Sequence, residues 1–213
     1  MFSFLIQYYD RLFTLFVEHL IITAISLGIA LIIAVPLGLI LSKIKWLSVP
    51  ILSILGILYS IPSLAMFAFL IPLSGLGMKT AIIALVAYCQ LILVRNVMVG
   101  FQSIDPAVIE AGRGMGLSRF RLFWKIEFPL AMPVILGGIR IAVISIIGIA
   151  TIAAWINAGG LGVILFEGLY QNHTPKVLWG TIFVSILAIA MNQILLKLEK
   201  HFSLRARGEL PAK

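Results

Sequence analysis

The chain has 213 residues and a formal charge of +8; 62% are hydrophobic and 11% charged, against about 45–50% and about 25% in a soluble domain. That balance excludes an ordinary soluble domain. One cysteine, Cys89, excludes an internal disulfide, and His19, His173 and His201 lie too far apart for metal-ligand spacing, so no metal site is expected.

In residues 1–18 the polar residues Ser3, Gln7, Asp10, Arg11, Thr14 and Glu18 recur at helical spacing among Phe, Leu and Tyr. The stripe predicts an N-terminal amphipathic helix lying in the membrane interface. The alternative is a plain extension of the first span. Five spans follow, at about 19–42, 47–72, 77–98, 131–155 and 177–197, forming one transmembrane domain over 19–198. No Asp, Glu, Lys or Arg interrupts 19–42, 46–78, 141–166 or 177–196, and a crossing needs roughly 20 residues. The first span is too long for a signal-peptide core, and Asp10 and Glu18 precede it rather than a basic cluster. Pro62, within "YSIPSLA" (59–65), predicts a kink, because proline lacks the amide hydrogen and crowds the preceding turn. Residues 199–213 read as a short basic tail rather than a fused domain.

Lysine and arginine set the expected orientation. One side holds Lys43 and Lys45, then Arg95, Arg113, Arg119, Arg121 and Lys125, then Lys197, Lys200, Arg205, Arg207 and Lys213. The other holds Arg11, Lys79 and Lys176. The N-terminus is therefore expected outside and the C-terminus in the cytoplasm. Topology accounts for the basic excess, and nucleic acid is not needed as a partner.

The polar passage at 105–128, between the third and fourth spans, is built as two short helices. Asp105 is an N-cap with Pro106 at the first helical position. The helix continues as "AVIEAGRGMG", and one of Gly112, Gly114 and Gly116 is expected to end it, Gly116 above the others. Ser118 caps a second helix, "RFRLFWKIEF", that Pro129 is expected to stop. Glu110 offers an acceptor to a partner's cation, while Arg119, Arg121 and Lys125 suit lipid headgroups. An ordinary amphipathic loop under the membrane has the same pattern.

The run Glu110-Ala111-Gly112, then Gly116, then Ile126-Glu127-Phe128-Pro129 resembles the "EAA" motif of permease subunits in ATP-binding cassette (ABC) importers. That motif runs Glu-Ala-Ala, three residues, Gly, nine residues, Ile-x-Leu-Pro. The spacing matches throughout, with Gly112 for the second Ala and Phe128 for Leu. "IPSLAMFAFLIPLSGLG" (61–77), "LVRNVMVGFQSIDPAVIEAGRGMG" (93–116), "PLAMPVILGGIRIA" (129–142) and "ATIAAWINAGGLG" (150–162) are similar to permeases for quaternary ammonium compatible solutes. The resemblance implies an all-α, five-span membrane fold of the type I (MetI-like) importer class in a bacterial cell membrane. It implies that Glu110, Ala111, Gly112 and Gly116, capped by Asp105, contact a separate ABC ATPase that binds the ATP and Mg. It implies a second permease subunit, identical or homologous, and an extracytoplasmic solute-binding protein. The cargo class is glycine betaine, carnitine or choline.

The chain has no Gly-x-x-x-x-Gly-Lys-Ser/Thr loop and no legible Ser-His-Asp set, so it is expected to be a transport subunit rather than an enzyme. The span centres lack carboxylates, which counts against a secondary transporter or channel, the alternative kept open with a non-transporting scaffold. Tyr59, Tyr88 and Trp155, with Pro62 at the bend, are candidates for a translocation pathway; Tyr59, Phe69, Tyr88 and Trp155 are aromatic residues within spans, and aromatic faces hold quaternary ammonium groups. Each is equally compatible with ordinary packing. Gly159, Gly160 and Gly162 give flexible ends to the segment 157–175, an outer re-entrant turn or short helix that the resemblance places near an outer gate. Arg140 either snorkels to the headgroups or reaches a permease partner or the third span.

Overall fold

The computed structural model describes residues 8–206, and among these every regular element is helical. Helix α1 spans Tyr9–Lys43, α2 Lys45–Ser60, α3 Ser63–Ser74 and α4 Met78–Gln102. The short α5 (Pro106–Gly114) and α6 (Arg119–Leu122) follow. A π-helical turn, Phe123–Glu127, leads into α7 (Phe128–Ala153), and a 3-10 turn, Ala154–Ile156, ends it. Helices α8 (Gly162–Tyr170) and α9 (Thr174–Ala206) complete the fold. Four runs are long and apolar enough to cross a membrane: α1, α4, Arg119–Ile156 and α9.

The sequence reading is corrected at three places. Residues 9–18 are not a separate helix. They are the first turns of α1, which runs 35 residues, roughly 52 Å. Nothing breaks it, because no Gly or Pro occurs from Tyr9 to Leu27. Residues 1–7 lie outside the described residues. The second predicted span is more than kinked: α2 and α3 meet at 97°, with the break at Ile61–Pro62. Pro129 does not stop the helix after Ser118. It occupies the first turn of α7, where its missing N–H costs least, and the π turn carries the chain across.

The core lies where α1, α4 and α7 meet. Ser26, Ala30, Ala34 and Gly38 recur every fourth residue and form a buried stripe of small side chains on α1. Ala30 and Ala34 pack with Leu85, Cys89 and Leu93 of α4 and with Ala142, Ile146 and Ala150 of α7. In lipid, burial against hydrocarbon gives little net gain, so close backbone approach and dispersion hold such helices together. At Gly38 a Cβ would sit 2.6 Å from the Val97 Cβ and 2.8 Å from the Val94 carbonyl oxygen. At Gly138 of α7 it would sit 2.4 Å from the Asn96 Cβ. Gln90 ties α4 to α1 by donating from Nε2 to the Ala30 carbonyl at 3.3 Å.

Arg140 neither snorkels free nor waits for another subunit. Its Nε donates to Glu199 Oε2 at 2.9 Å, and Nη1 donates to Asn192 Oδ1 at 3.3 Å, both on α9. The pair is about three-quarters buried on each side, so it fixes α9 against α7.

Two predictions follow from this packing. Gly38→Ala should cost about 1–3 kcal/mol by overpacking and lower the melting temperature in detergent by several degrees. Gly28→Ala, where nothing lies within 4 Å of the added carbon, should not lower it. Equal stability of Gly38→Ala and the parent would refute the close α1–α4 contact. For the ion pair, a double-mutant cycle with Arg140→Ala and Glu199→Ala should return a coupling of about 1 kcal/mol. Strict additivity would show that the pair contributes nothing.

Candidate functional site

Three constellations emerge, one at each end of the bundle and one at the break in the second span. The first is α5 with its caps. Asp105 Oδ1 accepts the Ala107 amide at 2.8 Å, and Pro106 opens the helix. The helix ends as a Schellman motif: the Gly116 amide donates to the Arg113 carbonyl at 2.9 Å and the Leu117 amide to the Gly112 carbonyl at 3.2 Å. Gly116 takes φ +76°, a conformation that favours glycine. Ser118 Oγ then accepts the Arg121 amide at 3.4 Å. Asp105, Glu110, Ala111 and Gly116 are exposed. Gly112 alone of the five is buried, facing inward rather than toward a partner. A Cβ there would meet Leu122 Cδ1 at 2.6 Å and Ile126 Cδ1 at 2.9 Å, so the motif's usual alanine would require those two tips to move.

Gly112 is therefore the seat of α5 on the run that becomes α7. Phe123, in the π turn, stacks on Phe101 of α4 at 5.7 Å and meets Trp124 edge-on at 5.2 Å. These rings tie the end of α4 to the start of the run that becomes α7. Phe120 and Trp124 remain largely exposed.

The second constellation gathers three of the four pathway candidates. Pro62 marks the break. Tyr88 of α4 is buried and donates its hydroxyl to the Ile61 carbonyl at 2.6 Å. Tyr59, 42% exposed, meets the Tyr88 ring edge-on at 6.2 Å. Trp155 is apart from them: it sits in the 3-10 turn, 57% exposed, with its ring against Phe166 of α8.

The third constellation, at the end away from α5, was not foreseen in the sequence. Gly159 and Gly160 take φ +84° and +79° and wrap the first turns of α1. Glu18 Oε2 accepts the Gly160 amide at 3.0 Å. His19, fully buried, accepts the Leu161 amide on Nδ1 at 3.3 Å. Its Nε2 therefore carries the proton, donated to the Ile147 carbonyl at 3.2 Å. A Cβ on Gly159 would lie 2.5 Å from Glu18 Oε2, and one on Gly162 would lie 1.9 Å from the Thr151 carbonyl oxygen. The three glycines are sites of close approach, not the flexible ends expected. Beside them Glu167 pairs with Arg11 through Oε1 and with Lys176 through Oε2 at 3.1 Å. Lys176 also donates to Gln171 Oε1 at 2.9 Å. A signal was present in the sequence: apart from Asp10 and Lys79, Arg11, Glu18, Glu167 and Lys176 are the only charges predicted at that end.

Among the described residues no group of three or more His, Cys, Asp or Glu is placed to hold a metal ion.

Residues 30–208 match the family model described as the binding-protein-dependent transport system inner membrane component. The chain is 40% identical over 187 residues to the osmoprotectant import permease protein OsmW of Salmonella typhimurium, covering 85% of this chain and 87% of that protein. It is 39% identical over 194 residues to the carnitine transport permease protein OpuCB of Listeria monocytogenes, covering 90% and 88%. The fold resembles that of a chain of the inward-facing MetNI methionine ABC transporter, with a TM-score of 0.81 at 22% identity over 90% of this chain and 95% of that one. The all-helical, multi-pass fold is thus the MetI-like type I importer fold. The chain belongs to the family of inner membrane components of binding-protein-dependent transport systems, and within an ABC transporter it is a permease subunit rather than an enzyme.

Proposed function

We propose that this chain passes a quaternary ammonium osmoprotectant inward across a bacterial cell membrane, and that α5 receives the stroke of an ATPase that binds ATP and Mg. The observation that carries this reading is the seating of α5. Its exposed face bears Glu110 and Ala111, while Gly112 presses on Leu122 and Ile126. Those two residues belong to one unbroken helical run, Arg119–Ile156, of 38 residues, roughly 57 Å. A push on α5 therefore enters a rod. At the rod's far end the Ile156 carbonyl accepts the Gly77 amide at 2.7 Å, beside the start of α4. Partway along, the rod holds α9 through Arg140. A displacement of α5 is thereby carried to the start of α4, the span that packs on both sides of the α2–α3 break.

The lysine and arginine asymmetry supports a cytoplasmic α5 and C-terminus, with the N-terminus and the Glu18–Gly160 contacts outside. There a loaded solute-binding protein would dock. The bent α2–α3 pair leaves Trp46, Ile54, Ile57 and Phe69 exposed, which suits a second permease subunit, identical or homologous. Support for the cargo comes from the relatives, named for osmoprotectant, carnitine and choline transport. The Tyr59–Tyr88 pair adds aromatic faces of the kind that attract a quaternary ammonium, which has no donor hydrogens of its own.

Reconstitution in proteoliposomes with the ATPase and a loaded binding protein tests the proposal. Glu110→Arg should cut betaine, carnitine or choline uptake by about tenfold or more, as loss of a charge-assisted contact predicts. ATP hydrolysis should persist but cease to respond to the loaded binding protein. Uptake that ignores both Glu110→Arg and ATP depletion would instead identify a secondary transporter or channel.

A further inference from the structure

A cleft of about 810 Å³ opens between the end of α1, the end of α4 and the α5–α6 turn. That volume falls within the range typical of small-molecule sites, about 300–1,000 Å³. Its charged lining is Lys43, Arg113, Arg119 and Glu127, three cations against one carboxylate, for a net +2. The ion pairs among the described residues employ Arg11, Lys176 and Arg140. Among the described residues none of the three cleft cations forms an ion pair with a carboxylate, although Glu127 lines the same space. The rest of the wall is largely apolar, with Phe101, Ile104 and Leu122 among its residues. Lys43 is the last residue of α1 and Phe101 lies in the last turn of α4. The cleft therefore sits where two spans leave the hydrocarbon.

We propose that this cleft binds a phosphate-bearing anion, supplied by the headgroup of an anionic phospholipid. Two guanidinium groups and an ammonium suit phosphate oxygens, the guanidinium by bidentate hydrogen bonds and the ammonium as a point charge. The apolar wall suits the glycerol backbone and the first acyl carbons, which a free phosphate lacks. Glu127 and Ser42 also line the cleft. A carboxylate among cations opposes a bare anion but accepts hydrogen bonds from the hydroxyls of a phosphatidylglycerol headgroup. Arg113 is on α5 and Arg119 opens α6, so the bound headgroup would join the cytoplasmic turn to the end of α1. The site does not depend on which solute is carried.

The test uses the whole transporter, with its ATPase, in nanodiscs of phosphatidylcholine with or without phosphatidylglycerol. Native mass spectrometry reads the phosphatidylglycerol retained after release from the disc. Retention by the parent, reduced about tenfold in a Lys43→Gln/Arg119→Gln variant but not in Lys197→Gln, which lies outside the cleft, supports the proposal. Amine modification of Lys43 in the parent gives a second readout that needs no variant to fold. Slower modification with phosphatidylglycerol supports the lipid source; slowing by inorganic phosphate alone in phosphatidylcholine discs supports the same chemistry from a soluble source. Unchanged retention in the double variant overturns the proposal. So does Lys43 protection that tracks the ATPase subunit in both lipid mixtures, which would make the cleft a protein contact.

Discussion

A backbone amide or carbonyl buried in protein or lipid has no water to turn to, so every point where a helix stops away from water must be given a partner. Much of this structure can be read from that constraint. The break at Ile61–Pro62 frees the Ile61 carbonyl, and Tyr88 is the donor that meets it. The Gly160 and Leu161 amides, beyond the end of the α7 run, are taken by Glu18 and His19 of α1. The Gly77 amide, ahead of α4, goes to the Ile156 carbonyl. Each repair comes from another element. The places where helices end are thus also the places where elements are tied together.

The same logic separates what the sequence showed from what it hid. Repairs made within a few residues were legible. Asp105-Pro106 announces its helix start, Gly116 its stop and Ser118 the next start, because cap and capped group are near neighbours in the chain. Long charge-free runs likewise gave the spans, since length and hydropathy are local properties. Repairs made across the chain were not legible. Glu18 and Gly160 are 142 residues apart, as are His19 and Leu161. No spacing rule links them, so the glycines at 159 and 160 read as flexible when they are pinned. Arg140 failed for the same reason: its partners, Asn192 and Glu199, lie more than fifty residues away on α9.

The errors of boundary have a different origin. Residues 9–18 looked separable because their polar stripe suggested an interface. Two charges of that stripe in fact go to the protein, Arg11 to Glu167 and Glu18 to Gly160. Pro129 looked like a stop because proline usually is one within a helix. It becomes a start once a π turn precedes it, since the first helical turn has no use for the missing amide hydrogen. Gly112 looked like part of an exposed docking face because the motif is read linearly. On a helix, Glu110 and Gly112 are separated by about 200°, and only one of them can face outward.

That separation bears on how force could be handled. A helix that offered the same face to its partner and to its own protein would be sheared off by the load it receives. Here Glu110 and Ala111 face away from the bundle while Gly112 allows two leucine-sized tips to press on the backbone itself. The seat is close because glycine fills it, and the run beyond it is continuous from Arg119 to Ile156. Stiffness at the seat and length in the rod are both needed for a small movement to survive to the far end. The spans themselves carry no carboxylate at their centres and the chain has no phosphate-binding loop. Proton-coupled transporters commonly place an ionisable acid at mid-membrane, so this composition counts against one. On the proposed reading, the helical rod that begins beneath α5 is the route by which work done elsewhere would reach the start of α4.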